Sequence, residues 1–151
     1  MPTVEVTQRL AAPIEEVWRL VCAVEDYPRF MEPVRSVRVI SEGPNWSVHA
    51  WEVVLKGSVL KWVERQERDA AAHHVAYHQL DGDLEVFDGF WRLRAISASA
   101  TEAILVVRFE IGIPMLRTML DPVAERAIRQ NSTAMLLSLG PALSGAEEAA
   151  G

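Results

Sequence analysis

Glu64 is the residue whose type and setting most invite chemistry. It lies in the run Val59 to Arg68, where alternation puts Leu60, Trp62, Glu64 and Gln66 on one side and Val59, Lys61, Val63 and Arg65 on the other. A carboxylate that shares a face with Leu60 and Trp62 loses hydration, and desolvation lifts its pKa toward the range of a general acid or base. The same carboxylate also suits a plain ion pair with an arginine of a neighbouring strand, or the wet end of a sheet. Asn131 falls in a later helical stretch near Ile128 and Met135. There it either orients a ligand carbonyl or satisfies a backbone group, as buried polar groups do. His49, His73, His74 and His78 raise the question of a metal. His74 and His78 share a strand face but stand about 13 Å apart, too far to hold one ion. No helical HExxH or Cys/His cluster accompanies them, so solvated or hydrogen-bonded imidazoles and no metal are expected. Cys22 is the single cysteine and has no evident base partner. No GxGxxG, Walker A or GxSxG stands in its strand-turn-helix setting, so neither a nucleotide cofactor nor covalent catalysis is expected.

The elements that must position these groups follow from periodicity and turn chemistry. Thr3 to Arg9 alternate as a half-buried strand. Pro13 suits a helix start, Glu15 and Glu16 favour the positive end of the helix dipole, and Ile14, Val17, Trp18 and Val21 share a stripe, which predicts a short amphipathic helix to Val24. Asp26 to Pro33 contains Pro28 and Pro33, too closely spaced for a long helix, so a single turn or ordered loop is expected. Six strands should follow: Val34 to Ser41, Trp46 to Leu55, Val59 to Arg68, His73 to Gln79, Leu84 to Ala95 and Ala103 to Ile111. Gly43-Pro44-Asn45, Lys56-Gly57, Asp81-Gly82 and the Ser97 to Thr101 stretch separate them. Successive hairpins imply an antiparallel meander.

After Gly112-Ile-Pro114 the period nears 3.6, with Asp121 as N-cap, Pro122 at the first helical position, and Val123, Ala127, Ile128, Met135 and Leu139 on or near one face. That predicts a helix over 122–139, about 27 Å long. Gly140-Pro141 should stop it, leaving residues 1–140 as a single domain and 141–151 as a disordered tail. A sheet of this size must curl around its one long helix to cover its apolar face. The expected class is therefore α+β in a helix-grip arrangement: a curved antiparallel sheet of seven strands around a long C-terminal helix, with one or two short helices after the first strand. Such a fold leaves an interior space suited to an apolar ligand, or else a filled core.

Composition narrows the function. A length of 151 residues, 50% hydrophobic and 24% charged, fits one domain with a real core. The net charge of -6 has the wrong sign for a protein whose affinity comes from neutralising phosphates, so nucleic acid is not expected as a partner. No uninterrupted apolar run exceeds five residues, and the N-terminus lacks a basic region followed by an apolar one, so neither a membrane span nor export is expected. With one cysteine and no demand for an oxidising compartment, a cytoplasmic location is the expectation.

Several segments carry a family resemblance. They are the opening strand with Ala12-Pro-Ile-Glu-Glu-Val-Trp18, the Asp26-Tyr-Pro28 turn to Phe30, Trp62-Val-Glu-Arg65, the stretch from Gly82-Asp-Leu to Gly89-Phe-Trp91, and Arg129-Gln-Asn131 on the last helix. Together they cover nearly the whole chain. The set resembles the START-like (SRPBCC) superfamily in its polyketide cyclase/aromatase and coenzyme Q-binding-protein branch. Membership implies a hydrophobic cavity between sheet and long helix. In the aromatase/cyclase proteins the corresponding strand presents a Trp, a small hydroxyl residue and an Arg to that cavity. Here Trp62 matches, while Glu64 and Gln66 occupy the other two positions. A cation would stabilise an enolate, whereas Gln offers neutral hydrogen bonding. Arg65 should point outward unless a bulge shifts register.

The resemblance thus implies a catalytic set of Glu64 as acid/base with Gln66 and Asn131 as carbonyl donors. It also implies ligand-binding walls from Trp51, Trp62, Tyr77, Phe87, Trp91, Met119 and Met135, although each aromatic equally suits ordinary core packing. Trp18 is expected between the first helix and the sheet. Tyr27, Phe30, Met115 and Met119 would rim an entrance or form an apolar seal. The implied function is that of a polyketide aromatase/cyclase-like enzyme of bacterial secondary metabolism, working without a cofactor on a polyketide that an acyl carrier protein delivers. The alternative is a non-catalytic carrier for a prenylated quinone or other lipid, which the missing arginine favours. An interaction protein of the translation machinery is disfavoured by the negative charge.

Overall fold

Alternating apolar and polar residues build seven strands: β1 (Thr3–Leu10), β2 (Val34–Glu42), β3 (Trp46–Leu55), β4 (Ser58–Asp69), β5 (His74–Gly82), β6 (Val86–Ser97) and β7 (Ala100–Glu110). They form one antiparallel sheet in the order β1-β7-β6-β5-β4-β3-β2, so β2 to β7 run as consecutive hairpins and β1 alone joins out of sequence. The computed structural model describes residues 2–55, 57–111 and 117–150, with 117–121 and 144–150 described by backbone alone. The sheet is open and curved, and the C-terminal helix α3 (Arg117–Ala150) packs against it, which is the helix-grip arrangement. No helix among the described residues is long and apolar enough to cross a membrane.

Between β1 and β2 lie α1 (Ile14–Cys22), a 3-10 turn (Val24–Asp26) and α2 (Tyr27–Phe30). Pro13 is the N-cap of α1 rather than its first residue, and its carbonyl accepts the Glu16 and Val17 amides at 3.0 and 3.2 Å. Val17 and Val21 face the core. Trp18 packs partly buried, with its ring edge-on to His73 at 5.5 Å. Tyr27, which the sequence left between an entrance rim and an apolar seal, does not rim an entrance. It is fully buried, because the turn carries its hydroxyl back to donate to the Val21 carbonyl. With that polar atom satisfied, the ring serves as core and meets Trp51 edge-on at 5.8 Å. Phe30 packs beside it at 5.9 Å, and Met115 lies outside the described residues.

Helix α3 differs from the sequence expectation at both ends. It begins at Arg117, before Asp121-Pro122, and continues through Pro141 to Ala150, where a disordered tail was expected. A proline forfeits one helical hydrogen bond, but its φ is already helical. Leu143, beyond Pro141, packs against the core and anchors the continuation. The buried stripe is Ala127, Ile128, Leu136 and Leu139, whereas Val123 faces solvent at 56% exposure.

Parity holds on the sheet. Trp62, Glu64 and Gln66 of β4 and Ser47, His49, Trp51 and Val53 of β3 are buried on the concave side. A register shift does fall beside Glu64: Val63 pairs with Asp81 but Glu64 with Gln79. The extra residue is Leu80 of β5, so β4 keeps its alternation. Arg65 accordingly stays outward, over the Trp46 ring at 4.6 Å and 3.1 Å from Glu67. At Gly89 of β6 a Cβ would sit 1.9 Å from the Val106 carbonyl oxygen and 2.7 Å from the Tyr77 hydroxyl. The bare backbone there lets Tyr77 reach across β6 and donate to Val106 at 2.7 Å.

Candidate functional site

The concave aromatics interlock. Trp51 and Trp62 are a cross-strand pair, stacked at 5.4 Å with their planes 7° apart. Trp62 meets Phe87 at 4.9 Å, and Phe87 meets Tyr77 at 6.2 Å. Trp91 closes the row through Tyr27 at 6.4 Å. These rings wall a cavity between the sheet and α3. Val53, Leu55, Leu60, Leu105 and Val107 complete its strand side, and Ile128, Asn131, Ser132 and Met135 its helix side. Counting its mouth, the hollow encloses about 590 Å³ between atoms, of which about 70 Å³ admits the centre of a water molecule. That is room for only a few molecules the size of water, so a ring-sized ligand would have to displace flexible groups such as Leu60 or Met135.

Of the residues singled out in the sequence, Glu64, Gln66, Asn131, Trp51, Trp62, Tyr77, Phe87, Trp91 and Met135 all line this one cavity. The side chain of Met119 lies outside the described residues. Leu60, Leu105, Val107 and Ile128 were missed, although strand and helix parity marks each as facing the same space. Ser132 was also missed. It is buried beside Asn131, and its place four residues after Ile128 and before Leu136 on the helix stripe was the available signal.

Glu64 sits at the polar end of the cavity with only 3% exposure. Trp62 Nε1–H donates to its Oε1 at 2.8 Å, and Gln66 Nε2 donates to its Oε2 at 2.7 Å. Trp51 Nε1–H falls short of a hydrogen bond to that carboxyl but adds a weaker pull in the same sense. Burial outweighs these donors and raises the Glu64 pKa from 4.5 to about 7. Among the described residues no Lys or Arg forms an ion pair with it, so the plain ion-pair alternative does not hold. The Tyr27 and Tyr77 phenols are pushed up, chiefly by burial, and stay protonated.

His49 pairs directly with Glu64 across β3 and β4 and is 1% exposed, so it is not the solvated or hydrogen-bonded imidazole the sequence suggested. Its Nε2 lies 3.9 Å from Glu25, and its Nδ1 has no partner. Burial, with the nearby Arg68 charge, lowers its pKa from 6.5 to about 4 and keeps it neutral. Its alternation with Trp51 and Val53 was the available signal. His73 contacts Glu15 at 2.7 Å, and His74 stacks on Phe90 at 5.1 Å. Among the described residues no three His, Cys, Asp or Glu side chains converge as metal ligands. Asn131 donates through Nδ2 to the Val54 carbonyl at 2.7 Å, tying α3 to the end of β3. Its amide nitrogen is therefore engaged by backbone, the second of the two roles open to it from sequence.

Residues 10–136 match the family model described as polyketide cyclase/dehydrase and lipid transport. The actinorhodin polyketide synthase bifunctional cyclase/dehydratase of Streptomyces coelicolor is 30% identical over 121 residues, which is 76% of this chain and 38% of that protein. The granaticin polyketide synthase bifunctional cyclase/dehydratase of Streptomyces violaceoruber is 30% identical over 148 residues, 91% of this chain and 44% of that protein. The chain thus spans less than half the length of these relatives. The crystal structure of the Zhui aromatase/cyclase from Streptomyces sp. R1128 superposes with a TM-score of 0.86 at 25% identity, over 99% of this chain and 98% of that one. A START superfamily protein from Mycobacterium smegmatis, at 14% identity and TM-score 0.82, shares the fold.

Proposed function

The chain belongs to the polyketide cyclase/dehydrase and lipid transport family, and on that premise we propose that it closes a ring in a poly-β-ketone held in its cavity, by aldol addition followed by loss of water. The observation that carries this reading is Glu64: a carboxyl with a pKa of about 7, braced by Trp62 and Gln66, on the wall of an otherwise apolar cavity. A group poised near neutral pH exchanges protons in both directions at low cost.

Ionised Glu64 takes a proton from a carbon flanked by two carbonyls, and the enolate carbon attacks a second carbonyl of the folded chain. Protonated Glu64 then returns the proton to the new alkoxide. A second α-proton taken by Glu64 and delivered to the departing hydroxyl completes the loss of water and leaves Glu64 ionised again. Gln66 holds the carboxyl in place with one N–H of its Nε2, and the second N–H of that amide is the donor for a ligand carbonyl. The aromatic walls bring the reacting carbons together, and such confinement contributes about 7 kcal/mol or more.

The test adds the chain to a minimal polyketide synthase that supplies the poly-β-ketone on its acyl carrier protein. The expected result is a new ring-closed product, with Glu64→Gln lowering its formation about 100-fold or more while ligand binding persists. Unchanged formation by the variant would remove Glu64 from the reaction.

A second reading, a carrier for a prenylated quinone or other lipid, is favoured by one observation: among the described residues no Lys or Arg lines the cavity. In that case Trp91→Ala weakens binding severely, Glu64→Gln does little, and the purified chain carries a lipid in stoichiometric amount.

A further inference from the structure

Two buried polar atoms of residues that line the cavity make no hydrogen bond: the Gln66 Oε1 acceptor and the Trp51 Nε1–H donor. Both residues are more than nine-tenths buried. Neither atom is free to turn away. Gln66 is held by its Nε2 bond to Glu64 at 2.7 Å, and the Trp51 indole is clamped by its parallel stack on Trp62 at 5.4 Å. Both side chains reach toward the Glu64 carboxyl, Gln66 through Nε2 and Trp51 through its indole edge, and that carboxyl is itself an acceptor whenever ionised. A buried donor and a buried acceptor left open in an apolar wall carry a desolvation cost that a suitable ligand group recovers.

We propose that this end of the cavity is a subsite for a hydroxyl on a flat, apolar ligand, a phenol or the enol form of a β-diketone, in preference to a ketone or ether oxygen. A hydroxyl donates to Gln66 Oε1 and accepts from Trp51 Nε1–H, so it completes both open atoms. A ketone or ether oxygen accepts only. It satisfies Trp51 and leaves Gln66 Oε1 facing a lone pair. A flat ligand suits the walls, since Trp51, Trp62 and Phe87 supply aromatic surface on which a ring can stack. The inference rests on the reading of this cavity as a polyketide site and adds the tautomer that it selects. Sites built to pair a ligand hydroxyl reject the analogue without one far more strongly than an apolar pocket rejects an extra methylene.

The test is a titration of the wild-type chain with 2-naphthol, 2-methoxynaphthalene, 2-tetralone and naphthalene, followed by quenching of tryptophan fluorescence and by calorimetry. The expected result is that 2-naphthol binds at least about tenfold tighter than 2-methoxynaphthalene and 2-tetralone. Gln66→Met should erase that preference while leaving naphthalene affinity within about twofold, and Trp51→Phe should reduce it. Equal affinity of the wild type for 2-naphthol and 2-methoxynaphthalene overturns the subsite, and so does a preference that survives in Gln66→Met. Because the wild-type comparison needs no variant, a misfolded variant does not blunt the test. Either negative result leaves ring closure by Glu64 standing, whereas failure of all four probes to bind overturns the subsite and the cavity reading together.

Discussion

At Glu64 the fold holds a carboxyl whose two hydrogen bonds do not offset its loss of water. The consequence reaches stability. Its folded pKa of about 7 exceeds the ordinary 4.5, so the folded state binds this proton more tightly than the unfolded state does. The stability so gained is complete below pH 4.5 and is lost as pH rises through 7, on the order of 3 kcal/mol. Glu64→Gln removes that loss. Thermal unfolding at pH 8 is expected to be higher for the variant than for the wild type, with the gap closing toward pH 5, and a variant no more stable at pH 8 contradicts the burial cost. His49 works in the opposite sense: its pKa is lowered from 6.5 to about 4, so its contribution is present above pH 6.5 and lost as pH falls through 4. Acid unfolding of Glu64→Gln should therefore retain a limb between pH 6.5 and 4, which His49→Phe flattens. Sequence alternation marked the face of Glu64 correctly. It carried no information on how far Trp62 and Gln66 lean along the strand to meet the carboxyl, because parity assigns a side and not a reach.

The elements that shape the cavity depend on a few close approaches. Gly89 lets the Tyr77 hydroxyl pass over β6 to the Val106 carbonyl, and a methyl group there collides with backbone at 1.9 Å. Gly89→Ala is expected to destabilise the fold by about 1–3 kcal/mol in urea unfolding, and more if the Tyr77 hydroxyl is left unpaired. A variant that unfolds with the wild type would show that the sheet gives way at no cost. Asn131 ties α3 to β3 through the Val54 carbonyl. Asn131→Ala should cost about 1 kcal/mol and raise both association and dissociation rates of a cavity ligand in stopped-flow fluorescence, since that bond ties α3 to β3 beside the cavity. The strands and their hairpins were legible because period-2 alternation and turn residues agree. The ends of α3 were not, because Pro122 and Pro141 read as boundaries while burial of Leu143 settles the outcome at a distance. The sequence left Tyr27 between a rim and an apolar seal for a similar reason: only the folded turn shows that its hydroxyl has the Val21 carbonyl to meet.

For the whole molecule, a seven-stranded sheet curled against one long helix follows from the count and order of elements, and the sequence supported that much. The space left inside did not follow, since it is the residue of packing among Trp51, Trp62, Phe87, Met135 and their neighbours. On the proposed function, the small free volume couples ligand entry to stability, because a ring would enter only where the cavity loosens. A ligand at 100 times its Kd should raise unfolding stability by about 2.7 kcal/mol. The central claim is that this enclosed carboxyl moves the protons of ring closure. Its most direct measurement is the pH dependence of the ring-closure rate for the wild type and for Glu64→Gln. The wild-type rate should rise with pH through an inflection near 7, as Glu64 ionises into the base form, and the variant should be about 100-fold slower or more with no inflection there. Superimposable profiles for the two proteins would contradict it.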